Sequence, residues 1–289
     1  MELTLATFNI GYGGLGAESD FFMDGGSQVQ PLSQALVEKN LAGITALLEE
    51  ADADIYLLQE VDADAKRSYG IDQRAVLSQG KGMDTAYALN YSCDFVPFPW
   101  PPIGRVHSGL YTMSSVSLAE GTGASRYALP CPFSWPVRTA NLKRCLLVAR
   151  IPVAGTEREL VVVNLHLEAY DDGAGKAAQT AMLMDLLQEE YAAGNYVIAG
   201  GGFQLQLPGG GPGGLAHPFG GELRARGYRR GGPAGRVPVG VGRQPAHLQA
   251  VEPSPGGGGA RSVLCDRWVY PFPQCDPAWR RDPGGGISV

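Results

Sequence analysis

The 289-residue sequence has no apolar run long enough to cross a bilayer and no C-x-x-C pair. The first absence argues against a membrane anchor. The second argues against a thiolate metal site or a disulfide framework, so we expect free thiols at Cys93, Cys131, Cys145, Cys265 and Cys275. The first residues also lack the basic start and apolar middle of a signal peptide, so we expect a soluble, cytoplasmic protein.

Lysine is absent from the last 89 residues, although they contain ten arginines and five acidic residues. Residues 1 to 200 carry 13 basic and 24 acidic side chains, so the net charge of −6 hides a strongly acidic body. An acidic body is a poor long-range attractor for a polyanion. The charge therefore disfavours extended nucleic acid as a substrate.

Residues 1 to 200 alternate predicted strands and helices, as expected of one large domain that mixes the two. The strands are Leu3–Phe8, Asp54–Glu60, Leu160–Leu167 and Tyr196–Ala199. One helix is indicated by Val37, Leu41, Ile44 and Leu48, and a second, near 176–191, by a stripe of Ala178, Met182 and Leu186. The proline-rich segment 95–102 predicts a long surface loop, and such loops often border a site.

The last third of the chain differs in amino-acid composition from the first two thirds. Residues 201–289 hold 22 of the 41 glycines and 12 of the 21 prolines, and no helical stripe is found there. One interpretation is a disordered tail that cannot bury enough apolar surface to offset its chain entropy. On this interpretation the domain comprises residues 1–200. No strand of the tail then pairs with the strand that starts at Tyr196, so that sheet edge is left uncovered.

Four polar residues lie at predicted strand ends: Asn9, Glu60, Asn164 and His166. Each alone has an ordinary explanation, since a lone glutamate is usually a solvated carboxylate and a lone histidine is usually structural. Their order along the chain makes them informative. The motifs Thr-Phe-Asn, Leu-Gln-Glu-Val, Ser-Gly-Leu, Val-Asn-Leu-His-Leu and Ile-Ala-Gly-Gly follow one another over residues 7–201.

This succession of motifs resembles the endonuclease/exonuclease/phosphatase superfamily. The resemblance implies an α+β fold of four layers, in which a two-layer β-sandwich is flanked by helices. It also implies hydrolysis of phosphoesters with a divalent cation, Mg²⁺ or Mn²⁺. By resemblance, Glu60 and Asn9 would serve the metal, His166 would contact the scissile phosphate, and Asn164 would hold the phosphate or a neighbouring loop.

The pattern fails after the strand that starts at Tyr196. The family motif Gly-Asp-Phe-Asn is replaced here by Gly201, Gly202, Phe203 and Gln204, and no Ser-Asp-His follows. A glycine cannot serve as a base or hold a cation through a side chain, and losing such a group costs orders of magnitude in rate. We therefore expect impaired or lost activity. The alternative is a pseudoenzyme, a module that binds phosphate without hydrolysing it.

Substrate and assembly are less constrained by the sequence. Arg105 and His107 precede the Ser-Gly-Leu motif and are candidates for contacting the substrate, or else ordinary exposed loop residues. The acidic body favours a small or lipid-derived phosphoester over nucleic acid. We expect a monomer.

A shifted reading frame is a hypothesis that would explain the broken motif. With synonymous codon choices, the codons of Gly202–Pro208 read one nucleotide later permit Asp-Phe-Asn-Ser-Asn-Phe. The same shift over Leu264–Cys275 permits a strand-like Tyr-Val-Ile-Asp-Gly-Phe. A GC-rich gene read out of frame also yields glycine, proline and arginine. The hypothesis is that one inserted nucleotide near the codons of Gly200–Gly202 put residues 201–289 out of frame.

We expect resequencing of this gene region to find one nucleotide fewer in the guanine-rich codons around Gly200–Gly202. An unambiguous read that reproduces the present sequence, together with relatives that share the same tail, would refute the hypothesis.

Overall fold

The computed structural model describes most of the first 203 residues and three short pairs beyond them. The described ranges are 3–121, 123–131, 134–135, 137–168, 174–203, 270–271, 280–281 and 287–288. Gln204, Cys265, Cys275 and most of the predicted tail lie outside these residues. Within these ranges, no helix combines the length and the apolar character that crossing a membrane requires.

The chain alternates strands with helices. The strands are β1 (Leu5–Asn9), β2 (Ile55–Ala65), β3 (Asp84–Val96), β4 (Gly104–Ser114), β5 (Ala124–Ala128), β6 (Cys145–Pro152), β7 (Glu159–His166), β8 (Tyr196–Gly202), β9 (Tyr270–Pro271), β10 (Arg280–Arg281) and β11 (Ile287–Ser288). The helices are α1 (Gln34–Ala51), α2 (Gln73–Ser78), α3 (Val137–Ala140) and α4 (Ala174–Ala192).

The strands form two main mixed sheets. The first has the order β1-β2-β4-β3, with β1 parallel to β2 and the other pairs antiparallel. The second has the order β5-β6-β7-β8-β9, in which only β7 and β8 run parallel. Strands β10 and β11 pair with each other.

The two sheets pack face to face and the long helices cover their outer faces. Along β2, Ile55 and Leu57 point into the core between the sheets, whereas Tyr56 and Leu58 pack with the buried stripe of α1. Along β7, even-numbered Val162 packs between the sheets, while odd-numbered neighbours pack with α4. This alternation follows from the two-residue period of a strand. The predicted four-layer α+β sandwich is confirmed.

The two long helices test the predicted stripes. In α1 all four predicted residues, Val37, Leu41, Ile44 and Leu48, are buried, and the helix starts where the Ser33 hydroxyl accepts a hydrogen bond from the Leu36 amide. In α4 the predicted stripe is wrong at Ala178, which is exposed. The buried face is displaced by one residue and contains Gln179, Leu183, Leu186, Leu187 and Glu190. A run of small and polar residues at the start of the helix made its phase ambiguous.

The strand at Tyr196 extends to Gly202 and is not left wholly uncovered. Tyr270 and Pro271 pair with Ala199 and Ile198, which corrects the expectation that no strand of the tail follows it. The proline-rich segment is a loop, as predicted, but Phe95 and Val96 still belong to β3.

Among the described cysteines all are free, and burial raises the pKa of the Cys145 thiol to about 11.

Candidate active site

Polar side chains from both sheets meet at one end of the sandwich. Strands β1 and β2 run parallel, and so do β7 and β8, so each pair ends at the same edge. The last residues of these strands include Asn9, His166 and Gly202, and Glu60 lies one residue beyond the partner of Asn9. The structure therefore brings together three of the four residues predicted at strand ends, with Asn164 directly beneath them.

A β-bulge turns Glu60 toward this site. Leu58 pairs with Tyr111 and Val61 pairs with Gly109, so two residues of β2 stand opposite one residue of β4. Glu60 has a backbone φ of 55°, in the left-handed region that a residue with a side chain rarely adopts. Bulges and strained backbone of this kind concentrate at functional sites, where they redirect a side chain.

Asn9 fixes the orientation of the Glu60 carboxylate. The Asn9 Nδ2 donates to Glu60 Oε1 at 2.9 Å, while Asn9 Oδ1 accepts from the Gly11 amide at 3.0 Å. Both the oxygen and the nitrogen of the Asn9 amide are therefore hydrogen-bonded, and this arrangement directs Nδ2 at the carboxylate. The Glu60 side chain remains 23% exposed, so solvent and ligands reach it.

His166 lies on the opposite sheet and faces the same carboxylate. Its Nε2 is 3.9 Å from Glu60 Oε1, and its side chain is 4% exposed. The distance is too long for a direct hydrogen bond, but it allows an ion pair when the imidazole is protonated. An imidazole in this position can donate a hydrogen bond or transfer a proton to a neighbouring oxygen.

Asn164 and Gln59 join the two sheets below the site. Gln59 Nε2 donates to Asn164 Oδ1 at 2.8 Å and to Thr7 Oγ1 at 3.2 Å. Asn164 Nδ2 donates to the carbonyl oxygens of Leu58 and Tyr111 at 3.1 and 3.2 Å. Asn164 is fully buried, so its amide is used inside the core. Sequence reasoning missed Gln59, although it lies within the Leu-Gln-Glu-Val motif.

Arg67 supplies positive charge near Glu60, and sequence reasoning missed it too. Its guanidinium makes two hydrogen bonds to Asp62, at 2.9 and 3.1 Å, and lies 3.8 Å from the Tyr12 ring centroid. Burial lowers the pKa of Arg67, but Asp62 outweighs this, and Glu60 contributes in the same direction, so the net pKa is raised. A signal was present, since Arg67 follows the Glu60 motif by only seven residues.

Arg105 and His107 lie away from this cluster. His107 pairs with Asp64, four residues beyond Glu60 on β2, which corresponds to roughly 13 Å along a strand. Arg105 Nη2 donates to Asp64 at 2.8 Å, and His107 Nε2 lies 3.4 Å from Asp94. The structure does not bring them beside Glu60, and their contact with a substrate stays a prediction.

Gly202 faces His166 across the parallel β7–β8 pair. A Cβ at position 202 would lie 2.6 Å from His166 Cδ2 and 3.3 Å from its Nε2. A side chain there would therefore touch the imidazole, and an aspartate would place a second carboxylate in the site after a small shift of the ring. Gln204, the other position that departs from the motif, lies outside the described residues.

The fold is similar to several solved structures. An endonuclease/exonuclease/phosphatase from Beutenbergia cavernae has a TM-score of 0.52 and 21% identity, covering 72% of this chain and 49% of that chain. TDP2 from Caenorhabditis elegans has a TM-score of 0.46, 17% identity and coverages of 71% and 48%. ANGEL2, a 2′,3′-cyclic phosphatase, has a TM-score of 0.48, 18% identity and coverages of 72% and 54%.

The chain has the endonuclease/exonuclease/phosphatase fold. It spans about half the length of these solved structures. No protein-family model and no curated protein matches its sequence. The fold therefore confirms the architecture that the motifs implied, and the chemistry has to be argued from the site itself.

In this endonuclease/exonuclease/phosphatase fold, one carboxylate of the candidate site, that of Glu60, fits a hard divalent cation. In the described part of the chain, no three His, Cys, Asp or Glu side chains cluster as a metal site. Mg²⁺, however, retains several waters and binds through one or two carboxylates together with substrate phosphates. Glu60, partly exposed and held by Asn9, meets that minimum.

We expect Asn164→Ala to lower the free energy of unfolding by about 2–3 kcal/mol, because it leaves buried hydrogen-bonding groups of both sheets without a partner. Urea denaturation measures this as a lower midpoint with an unchanged slope. The control is Gln34→Ala at an exposed position of α1, which should change stability by less than about 0.5 kcal/mol. Equal stability of Asn164→Ala and the wild-type chain would contradict the bridging role.

Proposed function

We propose that this chain derives from divalent-metal-dependent phosphoester hydrolases and that its own hydrolytic activity is lost or strongly impaired. The fold likeness to the Beutenbergia cavernae endonuclease/exonuclease/phosphatase supports the lineage. The convergence of Asn9, Glu60 and His166 at the end of the sandwich supports the assignment of the site.

The observation that carries the proposal is the glycine opposite His166. Position 202 contacts the imidazole through any side chain it bears, yet here it bears none. Among the described residues that meet at this end of the sandwich, the carboxylate of Glu60 is kept, and position 202 supplies no second carboxylate to orient or deprotonate water. Loss of a catalytic base commonly costs several orders of magnitude in rate.

The remaining residues have definite roles in this proposal. Glu60, oriented by Asn9, would hold Mg²⁺ or Mn²⁺, which when bound would neutralise charge on the phosphate. His166 Nε2 would donate a hydrogen bond or a proton to a phosphoester oxygen. Asn164, being buried, would act on the reaction by positioning β7 and hence His166. Arg67 would add positive potential beside the phosphate.

A phosphate-binding pseudoenzyme is the second candidate. The observation that favours it is the presence of Glu60, Asn9, His166 and the partly buried Arg67 in a site without the carboxylate at 202. Such a site keeps the groups that attract a cation and a phosphate. The acidic body favours a small or lipid-derived phosphoester over extended nucleic acid for either candidate.

We expect Glu60→Gln to weaken binding of Mn²⁺ at least tenfold, because an amide of the same shape carries no charge to attract the cation. Isothermal titration calorimetry with Mn²⁺ measures this without requiring turnover. The matched control is Glu50→Gln, at an exposed position of α1, which should leave the affinity unchanged. Equal affinities of the wild-type chain and Glu60→Gln would refute the metal site.

We expect Gly202→Asp to raise Mg²⁺-dependent hydrolysis of bis-p-nitrophenyl phosphate by about a hundredfold or more, because it restores a carboxylate beside His166. Gly202→Asn adds nearly the same volume without charge and should not raise the rate. Vigorous Mg²⁺-dependent turnover by the wild-type chain would contradict impaired activity. Binding of Mn²⁺ with no turnover in either variant would favour the pseudoenzyme.

A further inference from the structure

The hairpin between β3 and β4 carries an exposed aromatic tip, defined here as residues 95–103. These nine residues contain no charged side chain. Phe95 is 62% exposed, Phe98 is 77% exposed and Trp100 is 87% exposed. Single exposed apolar residues are ordinary, but three large aromatic side chains on one short uncharged segment form a patch of the kind that marks an interaction surface.

The aromatic tip projects beyond the candidate active site. Glu60 lies where β2 faces Gly109 and Tyr111 of β4, and β4 runs back from there to Gly104, which pairs with Val96. Five residues separate Gly104 from Gly109, or roughly 16 Å along a strand. A flat surface touching the tip would thus face the same end of the sandwich that bears Glu60.

The two ends of the tip are anchored in a packed base, which fixes where its backbone leaves the sheet. Val96 of the tip is buried together with Tyr91 and Val106, and Ile103 of the tip and Leu142 pack against them. The Tyr91 hydroxyl donates to the Ala140 carbonyl at 2.8 Å. The prolines of the tip also restrict its backbone. A surface fixed in advance loses little conformational entropy on binding.

Charges at the base of the tip balance one another. Arg105 pairs with Asp64 and His107 lies beside Asp94, while Lys66 Nζ donates to the Pro102 carbonyl at 3.3 Å. Among these groups, the two basic side chains, Lys66 and Arg105, offset the two carboxylates, Asp64 and Asp94. Single-stranded nucleic acid binds where aromatic residues lie within a positively charged groove, and these paired groups form no such groove.

We propose that the aromatic tip docks on the surface of a zwitterionic lipid bilayer, with Phe98 and Trp100 entering the interfacial region. Aromatic side chains partition to the level of the lipid headgroups. The balanced base matches a headgroup layer that itself carries both charges and no net charge. Docking of this kind depends on buried aromatic area and is insensitive to salt. It does not rest on the hydrolytic function.

The test is flotation of the full chain with phosphatidylcholine vesicles at low and at high salt. We expect the chain to float with the vesicles at both salt concentrations. The double variant Phe98→Ser/Trp100→Ser should lose at least tenfold in partitioning, because burial of each aromatic side chain stabilises the bound state by a factor of ten or more. Leu32→Ser, at a residue 70% exposed outside the tip, is the matched control and should bind like the wild-type chain.

Three results would overturn the proposal. One is absence of the wild-type chain from the floated fraction. Another is equal flotation of the double variant and Leu32→Ser. The third is a wild-type chain that does not bind vesicles but binds a single-stranded oligonucleotide, or self-associates in sedimentation, through contacts that the double variant abolishes. None of these measurements depends on turnover, so they test membrane docking whether or not the site at Glu60 is active.

Discussion

The hydrogen bond between Gln59 and Asn164 is the constraint on which the rest of the structure depends. It crosses the interior between the two sheets, where Thr7 and Thr112 also hydrogen-bond to these amides and an apolar cluster fills the space beyond them. A buried amide without partners is costly, so the sheets pack in the one register that satisfies both amides. That register places Glu60, one residue beyond Gln59, and His166, two residues beyond Asn164, 3.9 Å from each other.

Positions 200 and 202 of β8 are both crowded, but by different neighbours. Gly200 lies where a Cβ would approach Leu57 to 2.8 Å, so the close packing of β8 against the first sheet favours a glycine there. Gly202 instead faces the imidazole of His166 at the end of the strand. A carboxylate at 202 would meet the imidazole and not the apolar core, so the packing of the sandwich does not depend on one.

The site end of the molecule combines two surfaces of different character. One is the polar cluster around Glu60, where Arg67 is held by Asp62 and stacked on Tyr12. The other is the uncharged aromatic tip, roughly 16 Å beyond it. The electrostatics of the acidic body would act on a substrate at long range, whereas the tip would act only on contact.

The sequence by itself predicted four of the strands, the two long helices and four polar residues of the candidate site. The stripe of Val37 and Leu41 and the motif ending at Glu60 are local patterns, because a helix or a strand repeats every few residues. Only the tertiary structure decided that Arg67 lies beside Glu60 and that Arg105 lies beside Asp64. Those neighbours are set by strand register and by the bulge at Glu60, which arise from the packing of residues distant in the chain.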